Sequence, residues 1–143
     1  MNGTGPYLAA ALICERVLQE QDGVVSAVRI IDRVAFIAEP DGTPIQPVQP
    51  IVFLIQLKSG SARGRYALTL RMEKPSGEEV PLIDGAPVFL EGEDRGVNVI
   101  LNAGFEPDQE GLYWFDLLFE GERVTRIPLR AIYQPLPRER PAG

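Results

Sequence analysis

The sequence contains no histidine and only one cysteine, Cys14, among its 143 residues. Without histidine the chain cannot carry Ser-His-Asp or Cys-His catalysis, and it has no imidazole to offer a zinc ion. One cysteine cannot form an intrachain disulfide, which fits a reducing compartment. Cys14 lies in an apolar segment and no motif supplies it with a base, so we interpret it as a small buried hydrophobe.

Positive charge and long apolar runs are also scarce. The net charge is −6 and the sequence pI is about 4.7. Binding to nucleic acid or to an anionic membrane needs a basic surface, so we expect neither partner. The start of the chain, residues 1–6, has no basic leader, and the apolar run 7–14 is too short to cross a bilayer. We therefore expect a cytoplasmic protein.

No motif for chemistry stands out. The glycines of residues 60–65 flank a strand, but the stretch lacks the lysine and following hydroxyl of a phosphate-binding loop, so it predicts a turn. The scarcity of catalytic residue types leads us to expect that the protein is not an enzyme and uses no cofactor.

The chain is rich in glycine and proline, with 14 and 13 residues respectively, and 45% of it is apolar. This composition disfavours long helices and suits many short strands joined by tight turns. We predict a single domain over residues 1–134, followed by a disordered proline-rich tail over residues 135–143.

Alternating polar and apolar residues predict several strands. Residues 51–57 are almost continuously apolar, as in a strand buried on both faces, and residues 65–72 alternate cleanly. A turn over 59–64 separates these two strands. Short strands are predicted at 80–83, 87–90 and 97–101, with an acidic loop at 91–95 before the last of them.

Residues 7–19 have good helix propensity but also alternate as a strand does. Asp22-Gly23 is a two-residue hairpin signal, and the β-branched segment 24–31 follows it. We favour a hairpin and keep the helix as the alternative. Residues 32–38 are expected to continue or bend the second strand of that hairpin, before a proline-rich loop at 39–50.

The last quarter of the chain indicates the fold. An acidic residue, Gly111 and Tyr113 lead into an alternating strand over 113–119, as at the corner of an immunoglobulin-like sandwich where a tyrosine hydroxyl bonds back upstream. Residues 124–133 predict a return strand that is an edge strand, or one bulged at Pro128. We predict an all-β fold, an antiparallel immunoglobulin-like β-sandwich of about seven to nine strands.

Several short motifs together resemble a family of small bacterial proteins known only as a domain of unknown function. They are residues 12–17 (LICERV), 22–26 (DGVVS), 29–33 (RIIDR), 72–77 (MEKPSG), 111–115 (GLYWF) and 127–129 (IPL). The resemblance covers roughly residues 7–133. It implies a single β-sandwich domain and favours the strand over residues 7–19, but it implies no activity, ligand or site.

The outward face of the strand over 113–119 is unusually apolar. Leu112, Trp114 and Leu118 lie there, where a solvated sheet face is normally polar. In immunoglobulin-like order, residues 51–57 neighbour this strand and add Val52 and Leu54 to the face. Such a patch is large for an exposed surface, and tryptophan is a preferred interface anchor.

Two explanations of this patch stay open. Residues 7–19 or the proline-rich loop could cover it, or a second copy or a partner protein could bind it, with Arg126 and Arg130 at the rim. The favoured function is therefore a protein-interaction or assembly module.

A small-ligand or Ca²⁺-binding module is the alternative function. Its candidate ligands are the carboxylates Glu91, Glu93, Asp94, Glu106 and Asp108 in acidic loops.

Overall fold

The computed structural model describes residues 5–45 and 48–136. Within these residues the chain forms seven strands and no helix, so an all-β fold is confirmed. The strands are β1 (Tyr7–Gln19), β2 (Val25–Ile30), β3 (Arg33–Ala38), β4 (Gln49–Glu73), β5 (Glu79–Phe105), β6 (Gly111–Phe119) and β7 (Glu122–Pro135).

The strands form one mixed sheet with the order β2-β1-β4-β6-β7-β3, and β5 pairs with β4 outside this path. Every pairing is antiparallel except that of β3 with β7, which is parallel. The prediction of a purely antiparallel fold is therefore wrong. Residues 32–38 do not extend the second strand, because a separate β3 leaves the β1–β2 hairpin and runs beside β7.

β4 and β5 are far longer than the sequence predicts, with 25 and 27 residues. The predicted turn at 59–64 and the predicted acidic loop at 91–95 both lie inside these strands, and the three short strands of 80–101 are all parts of β5. Register shifts and the positive φ angles of Gly60, Gly64, Gly92 and Glu93 mark this middle region. The sequence suggests a turn at these glycines. In the structure they lie where the paired strands β4 and β5 bend together.

The bend divides the sheet into two parts. The β1 half contains β2, β1, residues 49–58 of β4 and residues 96–105 of β5. The β6 half contains residues 65–73 of β4, residues 79–90 of β5, β6, β7 and β3.

The two halves face each other across the hydrophobic core. The ring centroids of Phe53 and Phe115 are 5.0 Å apart although their strand segments do not pair, and Phe105 lies 5.0 Å from Tyr113. The residues predicted to point inward from β6 are all buried in this core: Tyr113, Phe115, Leu117 and Phe119. The aromatic contacts therefore hold the halves together.

Residues 7–19 form a strand and not a helix, and the predicted hairpin is confirmed. Its turn is longer than the two residues that Asp22-Gly23 suggests. The Glu20 amide donates to the Val24 carbonyl at 2.8 Å, and the Gly23 amide donates to the Glu20 carbonyl at 3.0 Å. Gly23 has a φ of +86°, which glycine adopts without strain.

Tyr113 makes the predicted bond back to the chain upstream. Its hydroxyl donates to the Gln109 carbonyl at 3.0 Å and lies 3.2 Å from Oδ1 of Asp108. Burial raises the pKa of Tyr113 to about 12. The side chain thus fastens the loop before β6 to the core.

Replacing Tyr113 with phenylalanine removes the hydroxyl and its hydrogen bond to Gln109, while the aromatic ring stays in place. We expect Tyr113→Phe to lower the free energy of unfolding by about 1–2 kcal/mol, because the half-buried carbonyl of Gln109 loses its bond. Tyr66→Phe is the matched control, since its hydroxyl makes only a 3.3 Å bond in an exposed setting. Denaturant unfolding measures both variants, and an equal effect of the two would contradict the expected role of Tyr113.

The raised pKa adds a pH signature to this variant. The folded value of about 12 exceeds the ordinary value of 10.0, so unfolded chains lose this proton first as the pH rises. Wild type should therefore lose stability between these two values by a contribution that Tyr113→Phe lacks.

β7 lies between β6 and β3, so the prediction of an edge strand is wrong for the strand as a whole. β3 pairs with β7 only from Arg130 onward, and Pro128, which cannot donate a backbone hydrogen bond, precedes that region. β7 ends at Pro135. The predicted disordered tail, 135–143, lies outside the described residues apart from Pro135 and Leu136.

Candidate interaction surface

The structure does not bring the predicted patch together. β6 pairs with residues 68–73 of β4 and not with 51–57, so Trp114 lies opposite Glu73 and Pro128. Val52 and Leu54 lie in the β1 half, away from Trp114. Alternation along a strand predicts its two faces, but it does not tell which segment of a long neighbour pairs with it.

Arg126 covers the outward face of β6. Its guanidinium lies 4.9 Å from the centre of the Trp114 ring, as in a cation–π contact. The same group donates to Asp116 Oδ1 at 2.7 Å and to Glu73 Oε2 at 2.6 Å. These bonds, first to Glu73 and then to Asp116, raise the pKa of Arg126.

The residues around this arginine are correspondingly shielded from solvent. Asp116 is buried at 2% exposure, Leu118 is buried, and Leu112 and Trp114 are half-buried. Arg130 is exposed further along β7. The face predicted to be an apolar patch is therefore a charged cluster over a half-buried tryptophan. The pairing of Asp116 was not predicted, because its only signal in the sequence is a carboxylate in an otherwise apolar strand.

Val52 and Leu54 are buried on the outer side of the β1 half. They lie outside the main core cluster, as does the fully buried Cys14. Burial raises the pKa of the Cys14 thiol, as expected for a small buried hydrophobe.

The β1–β2 hairpin borders this outer side. Clefts of about 540 Å³ and 310 Å³ separate its residues from those of β4 and β5, including Val52, Ile100 and Lys58. This part of the predicted patch therefore lies beside the chain's own hairpin, and Val52 lines the larger cleft together with Arg16 and Val17.

The predicted calcium ligands are also dispersed. Glu91, Glu93 and Asp94 lie at the bend of β5, where Glu91 accepts a bond from Arg95 at 2.7 Å. The described residues contain no group of three or more acidic, cysteine or histidine side chains that could hold a metal ion.

The remaining carboxylates lie between β5 and β6. Glu106 is exposed, and Asp108 accepts a 2.8 Å bond from Lys74. The bond from Lys74 lowers the pKa of Asp108.

The surface that the sequence did not reveal is the edge of β5. Among the described strands β5 pairs only with β4, so its other edge presents unpaired backbone groups. In residues 79–90 this edge carries Pro81 and Pro87, and the pairing with β4 shifts register near Leu70. Prolines and irregularities of this kind are devices that protect an edge strand from pairing with another chain.

The other half of the edge has no such protection. Residues 96–105 pair with residues 49–58 of β4 in ten successive steps without a register shift. This stretch, GVNVILNAGF, contains no proline and no charged residue. Its inward side chains, Val97, Val99, Leu101 and Ala103, pack against the core.

The outward side chains of this stretch are Asn98, Ile100 and Asn102. Gln56 Nε2 on β4 donates to Oδ1 of Asn98 at 3.0 Å. The absence of charge and proline over ten residues was visible in the sequence, but nothing there showed that these residues form an edge.

The structure thus defines a small all-β protein in which one edge of β5 is paired with no other described strand. The chain belongs to DUF6941, a family of unknown function, whose model matches residues 9–132. This membership confirms the resemblance to a family of unknown function. No curated protein matches the sequence.

The described residues include no helix with the length and hydropathy needed to cross a membrane.

Proposed function

We propose that the protein is a non-catalytic protein-interaction or assembly module whose contact surface is the free edge formed by residues 96–105 of β5. The observation that carries this proposal is the ten-residue, uncharged, proline-free stretch that pairs regularly with β4 and with no other strand of residues 5–45 and 48–136. Unpaired amide and carbonyl groups in this arrangement are complementary to another extended strand. A cytoplasmic location is part of the proposal.

Trp114, the interface anchor expected from the sequence, is not part of the proposed contact surface, because its ring is already engaged. The Arg126 guanidinium already stacks on the indole and bonds to both Glu73 and Asp116. A partner that used Trp114 as an anchor would have to displace these contacts, whereas no described strand pairs with the outer edge of β5.

An immunoglobulin-like sandwich remains our proposal for the finer fold. The tyrosine bond of Tyr113 and the facing halves of the sheet support it. For the calcium alternative we find no comparable support, because the carboxylates of Glu91 and Asp108 are engaged by arginine and lysine side chains.

Photocrosslinking from the two halves of β5 tests the proposed function. A photoreactive amino acid at position 102 should give a protein adduct of defined mass in the cells that naturally make the protein, because Asn102 borders the free edge. Position 89 is the matched control, since Phe89 is 63% exposed on the protected half of the same strand. Equal labelling from both positions, or none from position 102, would count against the edge as a contact surface.

A further inference from the structure

The unprotected edge has an unusual symmetry in its sequence. Around Ile100, residues at equal distances along β5 have the same chemical character. The matching pairs are Val99 and Leu101, Asn98 and Asn102, Val97 and Ala103, and Gly96 and Gly104. The stretch therefore reads almost alike in both directions.

Such a sequence suits one kind of pairing. Two identical strands related by a two-fold axis pair antiparallel, so that residue i of one copy faces residue j of the other and j faces i. With Ile100 on the axis, every residue from 96 to 104 meets a residue of its own kind. Apolar residues meet apolar ones, amides meet amides, and the glycines meet each other.

We propose that the partner of this edge is a second copy of the chain, joined by antiparallel pairing of the two β5 strands with Ile100 on the two-fold axis. The proposal names a partner for the surface proposed above and rests on that proposal. The two copies together form one continuous arrangement of eight strands, in the order β2-β1-β4-β5 followed by β5-β4-β1-β2 of the second copy.

Charge and side-chain chemistry favour a second copy. Each chain carries a net charge of −6, so copies repel one another unless they meet at a neutral surface, and residues 96–105 have no charged group. On the inner side, Val99 beside Leu101 of the second copy extends the apolar core. On the outer side, Asn98 already accepts a bond from Gln56, which leaves its own amide group to donate to Asn102 of the second copy.

A charge introduced at the axis tests both the partner and the register. Ile100→Lys or Ile100→Glu places two like charges opposite each other, so each variant alone should have the monomer mass of 15.8 kDa in light scattering, where wild type has twice that mass. An equimolar mixture of the two variants should recover the doubled mass, because opposite charges then meet. Phe89→Lys on the protected half of β5 should keep the wild-type mass.

A cysteine at the axis provides a second test that does not disturb charge. Opposite residues of an antiparallel pair have Cα atoms about 4.5–5.5 Å apart, within the range that a disulfide spans. Ile100→Cys should therefore form a dimer linked by a disulfide under mild oxidation, while Phe89→Cys should not. Cys14 is fully buried and should not interfere.

The outcomes separate this proposal from the proposed function. A wild-type mass of 15.8 kDa at high concentration, or a doubled mass that both charge variants retain, would overturn pairing between copies at Ile100. Adducts from position 102 to a different protein, with a monomeric wild type, would leave the edge as a contact surface and overturn only the second copy as its partner.

Discussion

Phe115→Ala should lower the free energy of unfolding by about 4 kcal/mol, since truncating a buried phenylalanine removes apolar contacts and leaves a cavity. Phe115 is 1% exposed, and its ring contacts Phe53 and Phe105, which belong to the other half of the sheet. The cavity would open between two halves joined by the bent strands β4 and β5. Urea unfolding followed by tryptophan fluorescence measures the effect.

Phe89→Ala is the control for this variant, because Phe89 lies 63% exposed on the outer side of β5. A surface truncation of this kind should change stability by less than about 0.5 kcal/mol. Similar losses for Phe115 and Phe89 would mean that the halves do not close over a common core. The comparison therefore tests the facing arrangement of the sheet without depending on any partner.

Arg126→Met should have the second largest effect, a loss of about 3 kcal/mol, because the buried carboxylate of Asp116 loses its closest charge partner and keeps only the more distant Arg123. The side chain of Asp116 is 3% exposed, and that of Arg126 is 31% exposed. The partial exposure of Arg126 places the expected loss at the lower end of the range for broken buried ion pairs. The Trp114 ring also loses its stacked guanidinium.

Arg123→Met is the matched control for Arg126→Met. Arg123 lies 3.8 Å from the same carboxylate but is 52% exposed, so its loss should cost less than about 1 kcal/mol. Combining Arg126→Met with Asp116→Leu should recover much of the stability, since an apolar pair replaces a buried ion pair at little cost. Equal losses for Arg123 and Arg126, or no recovery in the double variant, would contradict this role of Arg126.

The alternation of apolar residues predicts much of the fold correctly. The strand over residues 7–19, the inward set of β6 and the bond of Tyr113 all follow from short-range patterns, and all are confirmed. Alternation has a period of two residues, so it assigns each side chain to a face. It carries no information on which strands become neighbours.

Long strands and the parallel pair could not be predicted for the same reason. Gly60 and Gly64 read as a turn, because positive φ is common both in turns and in bent strands. Only the pairing of residues 49–73 with 79–105 reveals that the chain continues as a strand through this region. The parallel pairing of β3 with β7 joins segments that lie about a hundred residues apart.

The candidate site shows the same limit. The predicted patch required Trp114 and Val52 to be on one face, and the register of β6 with β4 separates them. It also required an uncovered tryptophan, whereas the long side chain of Arg126 covers it. The symmetric stretch around Ile100 was legible in the sequence, but its meaning depends on β5 being an edge, which is a property of the topology.

Amide hydrogen exchange along residues 97–103, measured residue by residue in the unmodified protein, tests the pairing of β5 edges most directly. A lone edge strand has alternate amides bonded to β4, and the others point to solvent. Pairing between copies should slow the exchange of both sets of amides. Dilution should then restore fast exchange only in the amides that point away from β4. Fast exchange of every second amide even at high protein concentration would contradict the pairing.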